Sequence, residues 1–574
     1  MRKEIVLGLL LGGALHGAAA QTVQTPASEE QRRRNQAEAE QRQRQQQEPN
    51  VDLQGQAPAA AEADTLTLPA ETPCFTLQQF VLEVPSQLPA RNRAAGASDL
   101  PLDPFRFAQD YLRQYAGQCV GREGINLIVK RLTNRMLAKG YTTTRLGIPE
   151  QDLATGTLIL TLVPGVIRAI RFADPGLVGT WKTAFPASPG DLLNLRDLEQ
   201  GLEQMKRVAS QEVDMQIVPG EVPGESDVVI DVKRSKPWTL TVNLDDSGAK
   251  GTGKLQSGVK LAVDNPLGLN DQFNLGLNTD ADRKGDQRGT TGNSIYYAIP
   301  YGYSTFALSA SSYDYHQTVA APNQSVVSSG KSKNLEFNLQ HLFYRDQTQK
   351  DSWQFKLGKR WSRAFIEDTE IGNNALNTTS AELAWVHKHY LGAAQLDLTL
   401  ANRWGVSWFN GQGDQPGSAA THRYTLQTID ATLTVPFKLA EQALTYSGTL
   451  HGQTSRSQLY LADQISIGSR YTVRGFDGEL TLAGERGFFM RNELDLPLAG
   501  SAQSAYAGID FGKVVGHAPG DHEQLGDKLA GATLGMRGGA LGMTYDLFAS
   551  WALYKPQHFG TQTPAVGFSL SYQY

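Results

Sequence analysis

The last nine residues, VGFSLSYQY (566–574), alternate strictly: Val566, Phe568, Leu570, Tyr572 and Tyr574 fall on one face of an extended chain, and Gly567, Ser569, Ser571 and Gln573 on the other. Reading backwards, the pattern recurs. Trp353, Phe355 and Leu357 alternate with Gln354 and Lys356, and Leu335, Phe337 and Leu339 with Glu336, Asn338 and Gln340. Such strands, separated by turns rich in Gly, Asn and Asp, fill everything after Pro237, and no long helical pattern interrupts them. A soluble sandwich also contains alternating strands, so alternation alone does not decide the fold. The combination decides it: an export signal, strands of about ten residues, aromatic residues at strand ends and a final strand that closes on an aromatic predict a transmembrane barrel, whose closure leaves no strand edge unpaired in lipid. Residues 237–574 supply 338 positions, about 21 per strand and connection if sixteen strands cross.

The export signal stands at the other end. MRKEIVLGLLLGGALHGAAA (1–20) has a basic start at Arg2 and Lys3, an apolar run from Ile5 and a small-residue end, the three parts of a secretory signal peptide with cleavage expected before Gln21. The apolar run is short and contains His16, which argues against a retained membrane anchor. No later stretch approaches the ~18 apolar residues a spanning helix needs. Cys74 and Cys119 are the only cysteines, and an even count in an exported chain predicts one disulfide.

Residues 28–48 contain no large apolar side chain, a composition that fits a disordered linker. Their spacing fits a helix: Glu29, Glu30, Glu38 and Glu40 each precede an arginine by four positions, Ser28 and Gln31 form a capping box, and Pro49 ends the run. A helix polar all round has no core to pack on and suits a water-filled cavity. Residues 49–72 are rich in Pro and Ala and read as an extended tether. The next segment mixes helix and strand. Ile125, Ile128, Val129, Leu132 and Met136 have helical spacing, with Gly140 as a C-cap; 155–165 reads as a strand and turn. The cycle repeats with a strand at 166–172, a helix at 193–208 carrying Leu195, Leu198, Leu202 and Met205 on one face, and two more strands, giving two small α+β modules in tandem.

Several motifs dissolve on inspection. GAKGTGK (248–254) has phosphate-loop spacing, but Leu255 replaces the metal-binding hydroxyl and the residues that follow alternate as a strand, so a hairpin turn is expected. DADRKGD (280–286) begins like a calcium loop, yet Lys284 occupies a ligand position and Thr291 stands in place of the final Glu. His522-Glu523 lacks a second His, and no nucleophile elbow is found. No catalytic residues, metal ligands or cofactor are therefore expected. Lys and Arg number 53 against 58 Asp and Glu, a net charge of -5 that gives no reason to expect a nucleic-acid partner.

YTVRGFDGE (471–479), GIDFG (508–512), RNELDLP (491–497) and the stretch from NLDDSG (243–248) through TGKLQSGVKLAVDNPLGLND (252–271) together resemble the outer-membrane transporters of two-partner secretion, a branch of the Omp85 superfamily. The resemblance covers nearly the whole chain. It implies a signal peptide at 1–20, a plug helix within 21–48, a linker at 49–72, two periplasmic POTRA modules at 73–165 and 166–236, and a sixteen-stranded barrel at 237–574. It also implies a lumenal loop, Val473, Arg474, Gly475 and Phe476, whose arginine meets Asp510 on the inner wall, with Gly508 and Gly512 making room and Glu493 as a second partner. The final Tyr574, where Phe is commoner, departs slightly from the family pattern. The expected function is a pore that carries a large exoprotein (an adhesin, haemolysin or contact-dependent toxin) from periplasm to cell surface. The POTRA modules would capture the exoprotein's N-terminal domain, and the barrel, as a monomer, would sit in lipid and lipopolysaccharide. A barrel-assembly insertase of the same superfamily is the alternative; more POTRA modules and no plug helix would be usual there.

Overall fold

The computed structural model describes residues 51, 53, 66–95, 104–282, 284–320, 324–371, 375–414, 418–516 and 525–574. The expected signal peptide, the expected plug helix and His522-Glu523 lie outside them, as does most of the expected linker.

Among the described residues, sixteen long antiparallel strands close into one barrel, with a two-residue strand, Thr369–Glu370, folded back onto the end of the seventh. The first strand, Trp238–Asp245, pairs with the last, Ala565–Gln573, with Asp245 opposite Ser569 and Thr241 opposite Gln573. Tyr574 extends this seam by exchanging backbone hydrogen bonds with Leu240, and Lys236 lies 4.2 Å from the ring centres of both Trp238 and Tyr574. Alternation sorts the side chains. In Gln349–Ile366, Trp353 is exposed on the outer face and Gln354 is buried within. Ile509, Leu534 and Val566 are 60, 57 and 56% exposed. Leaving many such side chains in water would forgo ~1.5–3 kcal/mol for each; an apolar outer wall is stable because lipid covers it. The phosphate-loop mimic at 248–254 forms the turn between the first and second barrel strands, and 280–286 connects the third and fourth.

Ahead of the barrel lie two three-stranded sheets. In the first, Gln79–Glu83 runs parallel to Thr157–Val163, which pairs antiparallel with Arg145–Gly147. Leu158, Leu160 and Leu162, alternating on the central strand, pack against Ile128, Leu132 and Met136 of the helix Arg122–Ala138. That helix starts after Gly121, which has no capping side chain, and Glu71 takes the role by accepting from the backbone nitrogens of Gly121, Glu123 and Gly124 at 2.7–3.0 Å. Cys74 and Cys119 are disulfide-bonded across the short pair Phe75–Thr76 and Cys119–Val120, with Cα atoms 5.4 Å apart. In the second sheet, Val166–Phe172 runs parallel to Glu225–Arg234, which pairs antiparallel with Gln211–Pro219.

The helix of this second module, Leu195–Lys206, buries Leu198, Leu202 and Met205 against the sheet. Its polar face is buried as well, because turns and strand ends of the barrel cover it: Gln204 donates to the Gly302 carbonyl, the Tyr303 hydroxyl meets Asp197, and Arg345 reaches Gln200 and Glu203. Burial, partly offset by the hydrogen bond from Tyr303, raises the pKa of the Asp197 carboxyl.

Candidate functional site

The connection between the eleventh and twelfth barrel strands, Gln442–Ser455 and Arg486–Pro497, is long enough to fold inward. It carries a small hairpin, Ile465–Ile467 paired with Leu482–Gly484, and its tip is 468–481. The chain reverses there at Gly468, Gly475 and Gly478, all at positive φ. The Thr472 hydroxyl accepts from the backbone nitrogens of Gly468 and Ser469 at 3.1 and 3.2 Å.

Val473 and Phe476 are almost fully buried in an apolar cluster with Ile465, Ile467, Val514, Leu529 and Phe559. Phe476 meets Phe559 edge to face, their centres 5.6 Å apart. Arg474, between them, points at the thirteenth strand, Gln503–Val515. The two-residue period of that strand places Ile509 and Phe511 on the outer face and Asp510 inside, where Asp510 is wholly buried.

Asp510 Oδ2 accepts from Arg474 Nε at 2.6 Å and from the Arg474 backbone nitrogen at 3.0 Å, while Oδ1 accepts from Nη2 at 2.8 Å. This is the planar fork-to-carboxylate geometry that lysine cannot supply. Two more of its donors are used: Nη1 donates to Glu493 Oε2 at 2.5 Å and Nη2 to the Asn492 carbonyl at 3.3 Å. Burial works against the charged guanidinium, and the carboxylates of Asp510 and Glu493 offset it by pairing with it directly. Charge continues along the wall. Glu493 Oε1 accepts from Arg537 Nη2 at 2.7 Å, and Arg537 also holds Asp495.

Glycine makes this approach possible. A Cβ at Gly508 would lie 2.5 Å from Arg474 Nη2, and one at Gly512 would lie 2.9 Å from Val473 Cγ2. Gly531, on the fourteenth strand, is closer still: a Cβ there would collide with the Arg474 carbonyl oxygen. Gly475 has the same relation to the Trp551 carbonyl. No motif in the sequence marks Gly531 or Arg537, which stand in the strand Lys528–Ala540; the run of glycines at 531, 535, 538 and 539 is the available signal.

The loop also grips the closure seam. Arg470 donates to Asp246 Oδ1 at 3.0 Å, and the same oxygen accepts from the Phe568 nitrogen of the last strand at 2.9 Å. Lys250, in the first turn, binds Glu479 through its backbone nitrogen and Asp477 through its amine. Among the described residues no cluster of His, Cys, Asp and Glu could hold a metal ion.

Residues 224–538 match the family model of the haemolysin secretion/activation protein ShlB/FhaC/HecB, residues 166–219 match a POTRA domain, and 93–165 match a ShlB-type POTRA domain. The outer membrane transporter CdiB-2 of Burkholderia pseudomallei (strain 1026b) is 50% identical over 515 residues, 88% of each chain. The outer membrane transporter CdiB of Dickeya dadantii (strain 3937) is 29% identical over 86% of each. The solved structure of CdiB from Acinetobacter baumannii superposes with a TM-score of 0.83 at 28% identity, covering 97% of this chain and all of that one. The chain belongs to the ShlB/FhaC/HecB family of two-partner secretion transporters, within the Omp85 superfamily, with its barrel in the outer membrane and its POTRA domains in the periplasm.

Proposed function

We propose that this pore carries one large exoprotein to the cell surface and that Arg474 and Asp510 latch the inward loop to the barrel wall. The observation that carries the reading is the three hydrogen bonds between two residues 36 positions apart, on a loop and a strand with separate local structure. The exoprotein's N-terminal domain would be captured in the periplasm by strand addition to an exposed sheet edge; Gln211–Pro219 is such an edge. The unfolded chain would then cross the lumen and fold outside, so that release of the loop and of the 21–48 plug widens the path. The likeness to contact-dependent-inhibition transporters supports a toxin of that class as cargo. The apolar outer wall would contact lipid, with lipopolysaccharide in the outer leaflet, and a barrel closed on itself is complete as a monomer.

The test is to express the large exoprotein encoded beside this chain's gene, with and without the chain, and to digest intact cells with protease. Exoprotein cleaved at the surface only when the chain is present supports the reading. Equal surface exposure in its absence overturns it.

A further inference from the structure

The seventh barrel strand, Gln349–Ile366, starts at the periplasmic end, where Lys350 meets Glu203 of the second POTRA module. Its outer face exposes Trp353 and, further out, Trp361. On a strand tilted by about 40° the two indoles stand about 20 Å apart in height, close to the apolar band a barrel presents to lipid. Basic side chains gather around Trp361, at the cell-surface edge of that band. Across the ladder to the sixth strand, Ser325–Arg345, Lys333 stands opposite Trp361, Lys331 opposite Arg363, and Leu335 opposite Lys359. The alternation that exposes Leu335 puts all of them on the outer face. Like charges directly opposite destabilise a sheet, and Lys331 and Arg363 are such a pair. Asp314 of the fifth strand stands opposite Lys331 on its other side, and Glu370 lies 3.8 Å from Arg363 between exposed side chains. Among the described residues, no carboxylate is within ion-pairing distance of Lys331, Lys333 or Lys359. Lys359 is 8% exposed; its amine donates to the Thr379 hydroxyl at 3.2 Å and the Phe409 carbonyl at 2.9 Å, both neutral, and lies 5.6 Å from the centre of the Trp361 ring. A buried ammonium held only by neutral oxygens keeps a charge that an anion would balance.

We infer that Lys331, Lys333, Lys359 and Arg363 seat the phosphorylated headgroup of lipid A, the membrane end of lipopolysaccharide. The inference rests on the reading above that lipopolysaccharide covers this wall. An amphiphile suits the place because the surface changes character within one step: Leu335 is the next outward position below Lys333, about 7 Å along the strand, and Phe337 and Leu357 continue the apolar wall beneath it. Phosphate oxygens between Lys331 and Arg363 would replace their repulsion with charge-assisted hydrogen bonds, for which the arginine fork is well shaped. The turn Trp408–Asn410, which supplies the Phe409 carbonyl, folds over the outer face beside Lys359 and leaves the Phe409 ring 69% exposed at the level where acyl chains meet the headgroup.

Full-length protein in detergent, at about 0.15 M salt so that distant charges are screened, would be titrated with lipid A and the bound lipid measured by native mass spectrometry. Three variants are compared with wild type, each first shown to form a heat-modifiable barrel: Lys331→Gln with Lys333→Gln and Arg363→Gln; Lys331→Arg with Lys333→Arg; and Lys513→Gln with Lys528→Gln, which removes two outer-face cations paired across the thirteenth and fourteenth strands at the same end of the barrel. The triple glutamine variant is expected to bind lipid A about tenfold or more weakly, the arginine pair and the 513/528 pair to stay within about twofold of wild type, and dephosphorylated lipid A to bind wild type as weakly as lipid A binds the triple variant. If the triple variant does not fold, Lys333→Gln alone reads the same seat, with a loss of about threefold expected and no loss counting against it. An equal loss in the 513/528 pair reduces the effect to general surface charge and overturns the seat. Dephosphorylated lipid A that binds as tightly as lipid A overturns it as well, and so does displacement of lipid A by an equal concentration of inorganic phosphate or phosphatidylglycerol. A wild type that binds no lipid A overturns the lipopolysaccharide reading itself, and the seat falls with it.

Discussion

Asp510 receives Arg474 through both of its carboxylate oxygens, from the guanidinium and from the backbone nitrogen of the same residue, and is itself wholly buried. The backbone bond means that Asp510 fixes the path of the loop as well as its side chain. Glu493 touches the guanidinium alone, from a position shared with Arg537.

Asp510→Ala is therefore predicted to loosen the loop more than Glu493→Gln. Removing one partner of a buried pair costs about 3–5 kcal/mol, softened here because Glu493 still balances the charge. Limited proteolysis of the 456–485 loop in detergent would rank them, with Asp510→Ala cut faster and Glu493→Gln close to wild type. The reverse order would remove the special role given to Asp510.

Gly531→Ala should impair secretion at least as strongly as Gly508→Ala or Gly512→Ala. The added methyl at 531 meets the loop's backbone, whereas at 508 and 512 it also meets side-chain atoms that can shift by a few tenths of an ångström. Overpacking of this kind costs about 1–3 kcal/mol. Secretion titres, with heat-modifiable gel mobility as the check on folding, measure it.

Asp246 serves two neighbours with one oxygen, Arg470 of the loop and the Phe568 nitrogen of the last strand. Asp246→Ala should weaken loop and seam together by about 1–3 kcal/mol, lowering the temperature at which the barrel loses its folded gel mobility. Asp246→Asn, which keeps an acceptor, should recover part of the loss.

Cys74→Ser with Cys119→Ser opens a loop of 45 residues and should destabilise the first module by about 2–4 kcal/mol. The effect should appear as faster proteolysis before residue 165 while the barrel's heat-modifiability is unchanged. An altered barrel transition would show that the module and barrel unfold as one unit.

The barrel and the two helices Arg122–Ala138 and Leu195–Lys206 are legible because each carries a period, whereas the short helices Ala90–Ala95 and Arg106–Arg113 are not read from the sequence. The inner and outer faces of Gln503–Val515 follow from its alternation, and the buried face of Arg122–Ala138 from Ile125, Ile128, Leu132 and Met136. Arg474 and Asp510 were legible only together, as motifs with a known relation, since neither has a local signal for a contact 36 positions away. What had no signal was contact between surfaces. The apolar spacing of the helix Leu195–Lys206 says nothing of its polar side, where Glu199, Gln200 and Glu203 are buried because Arg345 and Lys350 arrive from the facing ends of two barrel strands about 145 residues later in sequence. Glu71 falls within the expected tether for the same reason: the helix it caps begins about fifty residues on, after a glycine that cannot cap it.

The most direct measurement is a double-mutant cycle on secretion of the adjacent exoprotein, with Arg474→Ala, Asp510→Ala and the pair together, each first shown to form a heat-modifiable barrel. Secretion that falls in each single variant, with the double no worse than the lower of the two, is the result predicted for two residues acting as one latch. Normal secretion from all three folded barrels would contradict the account and leave Arg474 as a buried structural residue with no part in transport.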